Sequence, residues 1–221
     1  MLSSEDDVKL FTYFRSSAAY RVRIALNLKG LGYDAVPVHL LRDGGQHLLD
    51  EYRAINPSGL VPAFQDDAIT LTQSMAILEY LEEAYPQVPL MPTGAVARAH
   101  VRELAQIIAC DIHPVNNLRV LKYLVRQLGQ SEEVKTDWYR HWVIEGFQSL
   151  EAHLARHLDT GTFCYGHSPT IADCFLVPQV FNAQRFDIDV TAYPTISRIN
   201  DMCVDLPAFK AAHPSRQPDA E

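Results

Sequence analysis

The sequence predicts a two-domain protein, with a small α/β domain at the N-terminal end followed by a domain made only of helices. Two observations lead to this prediction. Between residues 8 and 84, short apolar runs with strand character alternate with segments of helical periodicity. After the proline-rich stretch 85–94, "YPQVPLMPTG", the strand-like runs cease. We therefore predict an α/β domain at 8–84, a linker at 85–94 and an all-α domain at 95–221.

The elements of the N-terminal domain follow in the order β-α-β-α-β-β-α. Residues 8–14 are predicted as a strand, and 16–29 as a helix that ends at Gly30, because glycine tolerates the left-handed conformation at a helix C-terminus. A second strand covers 33–40, and Pro37 within it favours an edge position, since proline cannot donate a ladder hydrogen bond. The remaining elements are a short helix at 47–55 that Asn56-Pro57 ends, two strands within 60–72, and a helix at 73–84.

The C-terminal domain shows only helical periodicity. The first stretch, 95–128, contains Pro114, which predicts a kink or a break. A second long helix follows, and a third begins at Thr170, where Asp173 has capping-box spacing. A last helix is predicted after residues 193–194. We therefore expect a helical domain with one interruption near its first proline.

One face of the first long helix is polar without being charged. At 100° per residue, Gln106, Cys110, His113 and Asn117 lie opposite the apolar stripe. Amides, an imidazole and a thiol suit the wall of a cleft better than a surface open to water. A plain solvated face is the alternative interpretation of the same four residues.

The composition limits the classes of partner. The formal net charge is −8 and no lysine- or arginine-rich block is present, which argues against binding to nucleic acid or to anionic membranes. No run approaches the roughly 18 apolar residues of a membrane span, and the acidic N-terminus is not typical of a signal peptide. The four cysteines are scattered, which favours reduced packing residues over a metal site. We therefore expect a cytoplasmic protein without a metal.

A short segment near the N-terminus combines features of an anion-binding site. In residues 14–26, "FRSSAAYRVRIAL", Ser16 and Ser17 stand where a helix begins, and Arg15 precedes them. The N–H groups at a helix N-terminus attract negative charge, and hydroxyl groups donate further hydrogen bonds. Taken alone, the serines also fit plain helix caps, and Arg15 also fits a surface ion pair.

Two further arginines lie within the same helix. Arg21 falls among apolar positions, opposite Arg23 and Asn27. We interpret Arg21 as a structural arginine with a buried partner, because an unpaired charge is costly in an apolar environment. Arg23 and Asn27 are expected on the exposed side of the helix.

Several segments, in order along the chain, carry a family resemblance. They are "YFRSSAAYRVRIALNLKG", "DGGQHLLDEYRAINPSGLVPAF", "LTQSMAILEYLEE", "TIADCFLVPQVFNAQRFDIDVTAYPTI" and "HPSRQPD". From about residue 8 to residue 219, the chain resembles the zeta-class glutathione transferases, which are the maleylacetoacetate isomerases and the bacterial maleylpyruvate isomerases. The resemblance implies the cytosolic glutathione transferase fold, with a thioredoxin-like N-terminal domain and an all-α C-terminal domain. It also implies a homodimer that acts in the catabolism of aromatic amino acids or other aromatic compounds.

The resemblance implies a reaction in which glutathione is the cofactor and its thiolate the nucleophile. A thiol with an unperturbed pKa of about 8.5 is mostly protonated at neutral pH, and Ser16 and Ser17 at a helix N-terminus would lower that pKa. The thiolate would add to the cis double bond of a maleyl-type diketo acid, and elimination after rotation would release the fumaryl form. Arg15 and Arg185 are expected to face the carboxylates of this dicarboxylate-type substrate.

The resemblance also implies the contacts that hold glutathione. Gln73 and Ser74 resemble the site that takes the γ-glutamyl carboxylate at a helix N-terminus. Val61 and Pro62 resemble the family's cis-proline turn, where the Val61 backbone pairs with the cysteinyl portion. The set is completed by His113 and Asn117 from the long helix and by Gln46 for the glycyl end.

The sequence departs from the family pattern in two places. The pattern has a cysteine after the two serines, where this chain has Ala18, and the loop "NPSGLVP" lacks a glutamine that the family often has. These departures leave two alternatives open. One is a zeta-class transferase that conjugates or dehalogenates α-halo acids, and the other is a non-catalytic glutathione-binding module. Within the isomerase hypothesis, the choice between maleylacetoacetate and maleylpyruvate stays open.

Overall fold

The computed structural model describes residues 8–221, which form two compact units. The first unit contains the described residues up to Leu90 together with Asp205–Glu221, and the second contains Met91–Val204. The boundary after Leu90 falls inside the predicted linker at 85–94. The residues Asp205–Glu221 belong to the first unit, whereas the prediction placed them in the all-α domain.

A mixed four-stranded sheet forms the centre of the first unit, in the order β2-β1-β3-β4. β1 pairs with β2 in parallel, whereas the β1–β3 and β3–β4 pairs are antiparallel. Leu10 and Phe64 face each other across the β1–β3 pair and are fully buried. Pro37 lies on an edge strand, as predicted. The strands are β1 (Val8–Thr12), β2 (Asp34–Pro37), β3 (Ala63–Asp66) and β4 (Ile69–Thr72).

Helices form most of the other elements of the first unit and make up most of the second unit. None of the helices within residues 8–221 is both long and apolar enough to cross a membrane. In chain order they are α1 (Ser17–Lys29), α2 (Asp50–Arg53), α3 (Ser74–Ala84), α4 (Ala95–Gln106), α5 (Leu118–Arg126), α6 (Glu132–Arg156), α7 (Ile171–Arg185), α8 (Pro194–Val204) and α9 (Pro207–Ala212).

The segment predicted as one helix at 47–55 consists of two short pieces. A 3-10 turn covers Gln46–Leu48, and α2 follows it. Leu49, which lies between them, has an extended backbone with φ −70° and ψ 151°. This conformation interrupts the helical hydrogen bonds, so the turn and α2 are separate elements.

The C-terminal tail covers one side of α1. The Arg23 Nε donates a hydrogen bond to the Ala212 carbonyl at 3.1 Å, and the Asn27 amide donates to the Ala208 carbonyl at 3.0 Å. The prediction that Arg23 and Asn27 are exposed is therefore wrong for Arg23, which is fully buried, and only partly right for Asn27, which is half-buried. The covering helix, α9, is far away in sequence, so the pattern of α1 alone does not reveal it.

The first long helical stretch of the second unit is interrupted, as Pro114 predicts. α4 continues into a π-helical turn at Ile107–Ile112, and α5 begins only at Leu118. A Cβ atom at Gly146 of α6 would lie 2.2 Å from Ile112 Cγ1. A glycine is therefore required for the close approach of α6 to the π-helical turn.

The predicted capping box at the start of α7 is confirmed. The Thr170 N–H and Oγ1–H donate to Asp173 Oδ2 at 2.7 and 2.8 Å, and the Cys164 N–H donates to Oδ1 at 2.8 Å. Asp173 is fully buried, and this burial raises the pKa of its carboxyl group. The box fixes the start of a helix that is buried along most of its length.

Candidate active site

The amino end of α1 carries the two predicted serines. Ser16 is the N-cap residue, and its Oγ accepts a hydrogen bond from the Ala19 N–H at 3.2 Å. Its hydroxyl proton is not used in this bond, because the oxygen acts there as an acceptor. Ser17 is the first helical residue and is buried. The cap interpretation therefore holds for Ser16, and it is compatible with donation from the same hydroxyl to an anion.

Arg15 lies on the surface directly before Ser16. Its guanidinium carbon is 4.8 Å from the centroid of the Phe14 ring, which is within the range of a cation–π contact. Phe14 is buried, so the contact ties an exposed charge to a fixed ring. Arg15, Ser16 and Ser17, which are consecutive in the chain, thus all lie at the amino end of α1.

Arg23 also contributes to this region, although its sequence pattern did not indicate this role. It donates from its guanidinium to Thr12 Oγ1 at 2.9 Å and to the Phe14 carbonyl at 3.0 Å. Burial lowers the pKa of Arg23 to about 10, so the group is still a cation at neutral pH. The only signal in the sequence was an arginine within an apolar run. In the structure it fixes the loop that carries Arg15.

The amino end of α3 is suited to a carboxylate. Gln73, directly before the helix, has a backbone φ of 72°, a region that is strained for a residue other than glycine and that is often found at binding sites. Ser74 begins the helix and is buried. Its Oγ accepts a hydrogen bond from Arg21 at 3.1 Å, which identifies the buried partner predicted for that arginine. A helix N-terminus and a buried guanidinium both favour negative charge here.

The Val61–Pro62 peptide bond is cis, as the resemblance implies, and both residues are buried. The Gln46 side chain is engaged within its own loop. Its Oε1 accepts the His39 N–H at 2.9 Å, and its Nε2 donates to Asp43 Oδ2 at 3.1 Å. One Nε2 proton is left by these bonds, so a contact of Gln46 with the glycyl end of glutathione stays a prediction.

The altered loop around Ser58 is held by hydrogen bonds of its own. The Asn56 side chain donates to the Leu60 carbonyl at 2.6 Å and accepts the Ser58 N–H at 3.1 Å. Tyr52 adds a hydrogen bond from its hydroxyl group to the Leu60 carbonyl at 2.6 Å. The loop before the cis-proline turn is therefore well fixed without the glutamine that the family often has there.

The polar face predicted for the first long helix is not one continuous face. Gln106 and Cys110 line an open depression of about 510 Å³ in the second unit. His113 lies just beyond the π-helical turn and is half-buried. Asn117 is the N-cap of α5, where its Oδ1 accepts a backbone N–H at 3.1 Å. The prediction assumed unbroken α-helical geometry, which the π-helical turn and the break near Pro114 remove.

Arg185 is the last residue of α7 and is exposed. Its guanidinium carbon is 5.9 Å from the Phe181 ring centroid. Burial raises the pKa of the neighbouring Tyr139 hydroxyl, and the positive charge of Arg185 opposes this rise. The Tyr139 ring stacks on Phe186 at 3.6 Å between centroids, and Arg140 donates to the Phe186 carbonyl at 2.7 Å. The helix end that carries Arg185 is therefore well fixed within the second unit.

Within residues 8–221, no group of three or more histidine, cysteine, aspartate or glutamate side chains is arranged to hold a metal ion. The sites described above offer hydroxyl, backbone N–H and guanidinium donors. These groups suit an anionic ligand.

Comparison with known proteins first gives the class of protein. Residues 10–89 match the family model described as "Glutathione S-transferase, N-terminal domain". A probable maleylacetoacetate isomerase of Vibrio cholerae is 51% identical over 211 residues, which are 96% of this chain and 97% of that protein.

Two solved structures are similar over their whole length. The holo structure of a maleylpyruvate isomerase, described as a bacterial zeta-class glutathione S-transferase, has a TM-score of 0.93 and 46% identity, and the match covers 96% of this chain and 100% of that one. A maleylacetoacetate isomerase of Methylobacterium extorquens AM1 with bound malonate and glutathione has a TM-score of 0.93 and 43% identity, with 96% and 99% covered. This chain belongs to the zeta-class glutathione transferases, the family of the maleylacetoacetate and maleylpyruvate isomerases.

Proposed function

We propose that this protein is a glutathione-dependent cis–trans isomerase that converts a maleyl-type diketo acid to its fumaryl form. Family membership supports the reaction class. The observation in this chain that carries the proposal is the amino end of α1, where Ser16 and Ser17 adjoin the exposed Arg15. Hydroxyl and backbone N–H donors beside a positive charge are what an anionic sulfur and an acidic substrate require.

The proposed cofactor is glutathione, and the amino end of α3 fits one of its carboxylates. Gln73 and Ser74 form this end, and Arg21 donates to the Ser74 hydroxyl from a fully buried position. We propose that this end binds the γ-glutamyl carboxylate and that the Val61 backbone pairs with the cysteinyl portion. When bound, glutathione supplies the thiolate that adds to the double bond and then leaves it.

The residues of this chain would act before and during that chemistry. Donation from Ser16 or Ser17 and from the first turn of α1 would lower the pKa of the thiol and orient its sulfur. Arg15 and Arg185 are proposed to bind carboxylates of the substrate, since guanidinium groups match carboxylates bidentately. Their positive charge would also stabilise the negative charge that develops on the substrate. Gln46, His113 and Asn117 are proposed as further contacts of glutathione.

The assembly and the location are proposed on the family resemblance alone. We propose that the protein is a homodimer in the cytoplasm. Light scattering coupled to size-exclusion chromatography would measure the mass in solution, and a value near 24.9 kDa would indicate a monomer. Fractionation of the source cells would test the location, since recovery in the membrane or the exported fraction would contradict it.

An isomerisation assay tests the proposed function. Maleylpyruvate and maleylacetoacetate are incubated in parallel with the protein and with glutathione at a small fraction of the substrate concentration, and the loss of the cis-enone absorbance is followed. We expect many turnovers for each glutathione molecule, and the faster substrate is then the preferred one. Consumption of one glutathione per substrate would contradict the proposal. Chloride release from a chlorinated acetate, with no isomerisation, would favour the dehalogenating alternative that Ala18 keeps open.

A further inference from the structure

The C-terminal tail contacts the loop that leads into α1. The Phe14 N–H donates a hydrogen bond to Asp219 Oδ2 at 2.9 Å, across 205 positions of sequence. Phe14 directly precedes Arg15 and Ser16 in the chain. The orientation of the Phe14 peptide group therefore affects the placement of both of these side chains.

The carbonyl of the same residue is also held. Arg23 Nη2 donates to the Phe14 carbonyl at 3.0 Å, and its Nε donates to the Ala212 carbonyl at 3.1 Å. Both polar backbone groups of Phe14 are thus bound to charged side chains. Asp219, which holds the N–H, belongs to the tail, and Arg23, which holds the carbonyl, contacts the tail. Charge-assisted hydrogen bonds of this kind are stronger than those between neutral groups.

The tail itself is ordered before it reaches Phe14. The Gln217 amide is buried and donates to the carbonyls of Ala211 and His213, both at 3.0 Å. The Ala220 N–H donates to the Gln217 carbonyl at 3.1 Å. These bonds surround Asp219 on both sides in sequence, so its carboxylate is presented to Phe14 in a fixed position.

The two oxygens of the Asp219 carboxylate differ in their surroundings. Asp219 Oδ1 is buried and accepts no hydrogen bond from the residues that the structure describes. A buried carboxylate oxygen without a donor costs free energy, which offsets part of the gain from the Phe14 bond. The negative charge of Asp219 opposes the lowering of the Arg23 pKa, so the two charged groups that hold the Phe14 peptide group also attract each other.

We propose that Asp219 is a positioning residue of the active site, which acts through the Phe14 N–H to set Arg15 and Ser16 at the amino end of α1. The C-terminal tail then contributes to the geometry of the proposed glutathione site. This inference rests on the proposed function. It concerns placement only, because Asp219 is not expected to touch glutathione or the substrate.

Three variants test the proposal. Asp219→Ala removes the acceptor, Asp219→Asn keeps an oxygen that can accept the Phe14 N–H, and Glu221→Ala is the control. Glu221 is an exposed acid of the same tail that pairs with His39 and Arg42. For each protein, kcat and KM for the diketo acid are measured, and the thiol of bound glutathione is titrated by its thiolate absorbance.

We expect Asp219→Ala to lower kcat/KM about tenfold and to raise the thiol pKa, because small displacements of catalytic groups are costly. Asp219→Asn should stay within about threefold of the wild type, since the acceptor is retained. Glu221→Ala should match the wild type. A lower melting temperature of Asp219→Ala with unchanged kcat/KM and thiol pKa would overturn the proposal. If Asp219→Ala does not fold, Asp219→Asn decides the question. A folded Asp219→Asn variant with a strongly lowered kcat/KM, while Glu221→Ala keeps the wild-type kcat/KM, would also overturn the proposal.

The two possible failures are distinguishable. The proposed function fails if the wild-type protein does not isomerise the diketo acid, which is seen before any variant is compared, and the positioning role then falls with it. The positioning role fails separately if the wild type is active and Asp219→Ala is equally active with the same thiol pKa.

Discussion

The amino ends of α1 and α3 are both proposed to bind glutathione, and they are built differently. α1 has a conventional cap, since Ser16 Oγ accepts the Ala19 N–H. α3 begins after Gln73, whose backbone φ is 72°, and no side chain of the described residues caps it. Arg21 reinforces this second end by its hydrogen bond to Ser74.

The difference matches the ligand group proposed for each end. At the capped end, the Ser16 hydroxyl proton is not used by the cap and can be donated to a sulfur, which suits a thiol whose thiolate must be stabilised. An uncapped end keeps its first N–H groups for an external carboxylate. The supports also differ, because Arg23 and Asp219 hold the loop before α1, whereas Arg21 supports α3. Substitutions at the two ends should therefore change different measured quantities.

The largest effect is expected for Ser16→Ala. Loss of a preorganised donor to the sulfur should lower kcat/KM about 100-fold and raise the pKa of the bound thiol. Loss of the cap should cost about 1 kcal/mol of stability. Ser131→Ala is the matched control, because Ser131 caps α6 in the same way, with its Oγ accepting the Val134 N–H at 3.2 Å. Equal thiol titrations for the two variants would contradict the role of Ser16.

Arg21→Met should change glutathione affinity more than the thiol pKa. Removal of the buried guanidinium behind Ser74 should raise the dissociation constant about tenfold, as measured by calorimetry. Ser74→Ala should have a smaller effect in the same direction. If a folded Arg21→Met protein binds glutathione as the wild type does, the amino end of α3 is not the carboxylate site.

Arg15→Ala and Arg185→Ala should each raise KM for the diketo acid about tenfold, because a charge-assisted contact to a carboxylate is lost. The glutathione affinity should stay the same in both variants. Arg156→Ala, which removes an exposed arginine of α6, serves as the control. An unchanged kcat/KM in either site variant would remove that arginine from the proposed site.

The smallest expected effect is a change in how the stability of the protein depends on pH, caused by His213 in the C-terminal tail. Burial and the nearby Arg23 and Arg216 lower the pKa of His213 below its ordinary value of 6.5. The unfolded chain therefore binds this proton more readily than the folded one, so stability should fall as the pH drops below about 6.5. His213→Gln should reduce this slope in thermal unfolding measured between pH 7 and pH 5. If the melting temperature of His213→Gln depends on pH as that of the wild type does, His213 is not a source of this pH dependence.

Local sequence signals predicted the features that depend on near neighbours. Pro37 indicated the edge strand, Pro114 indicated the break after α4, and the spacing of Thr170 and Asp173 indicated the capping box. Each of these rests on backbone geometry or on hydrogen bonds within one turn. Such signals do not need knowledge of the rest of the fold.

Features that depend on distant parts of the chain were missed or misjudged. Arg23 was expected on the exposed side of α1. It is buried instead, because the C-terminal tail, which is distant in sequence, packs against α1. Asp219 was seen only as part of a motif, since its contact with Phe14 is not visible in the sequence. The polar face of the long helix was misjudged because a π-helical turn changes the angle between successive residues.

The most direct test of the central claim is a titration of glutathione bound to the wild-type protein, followed by the thiolate absorbance. If the amino end of α1 activates the sulfur, the midpoint should lie well below the value measured for free glutathione in the same buffer. A midpoint equal to that of free glutathione, with binding verified by calorimetry, would contradict the claim.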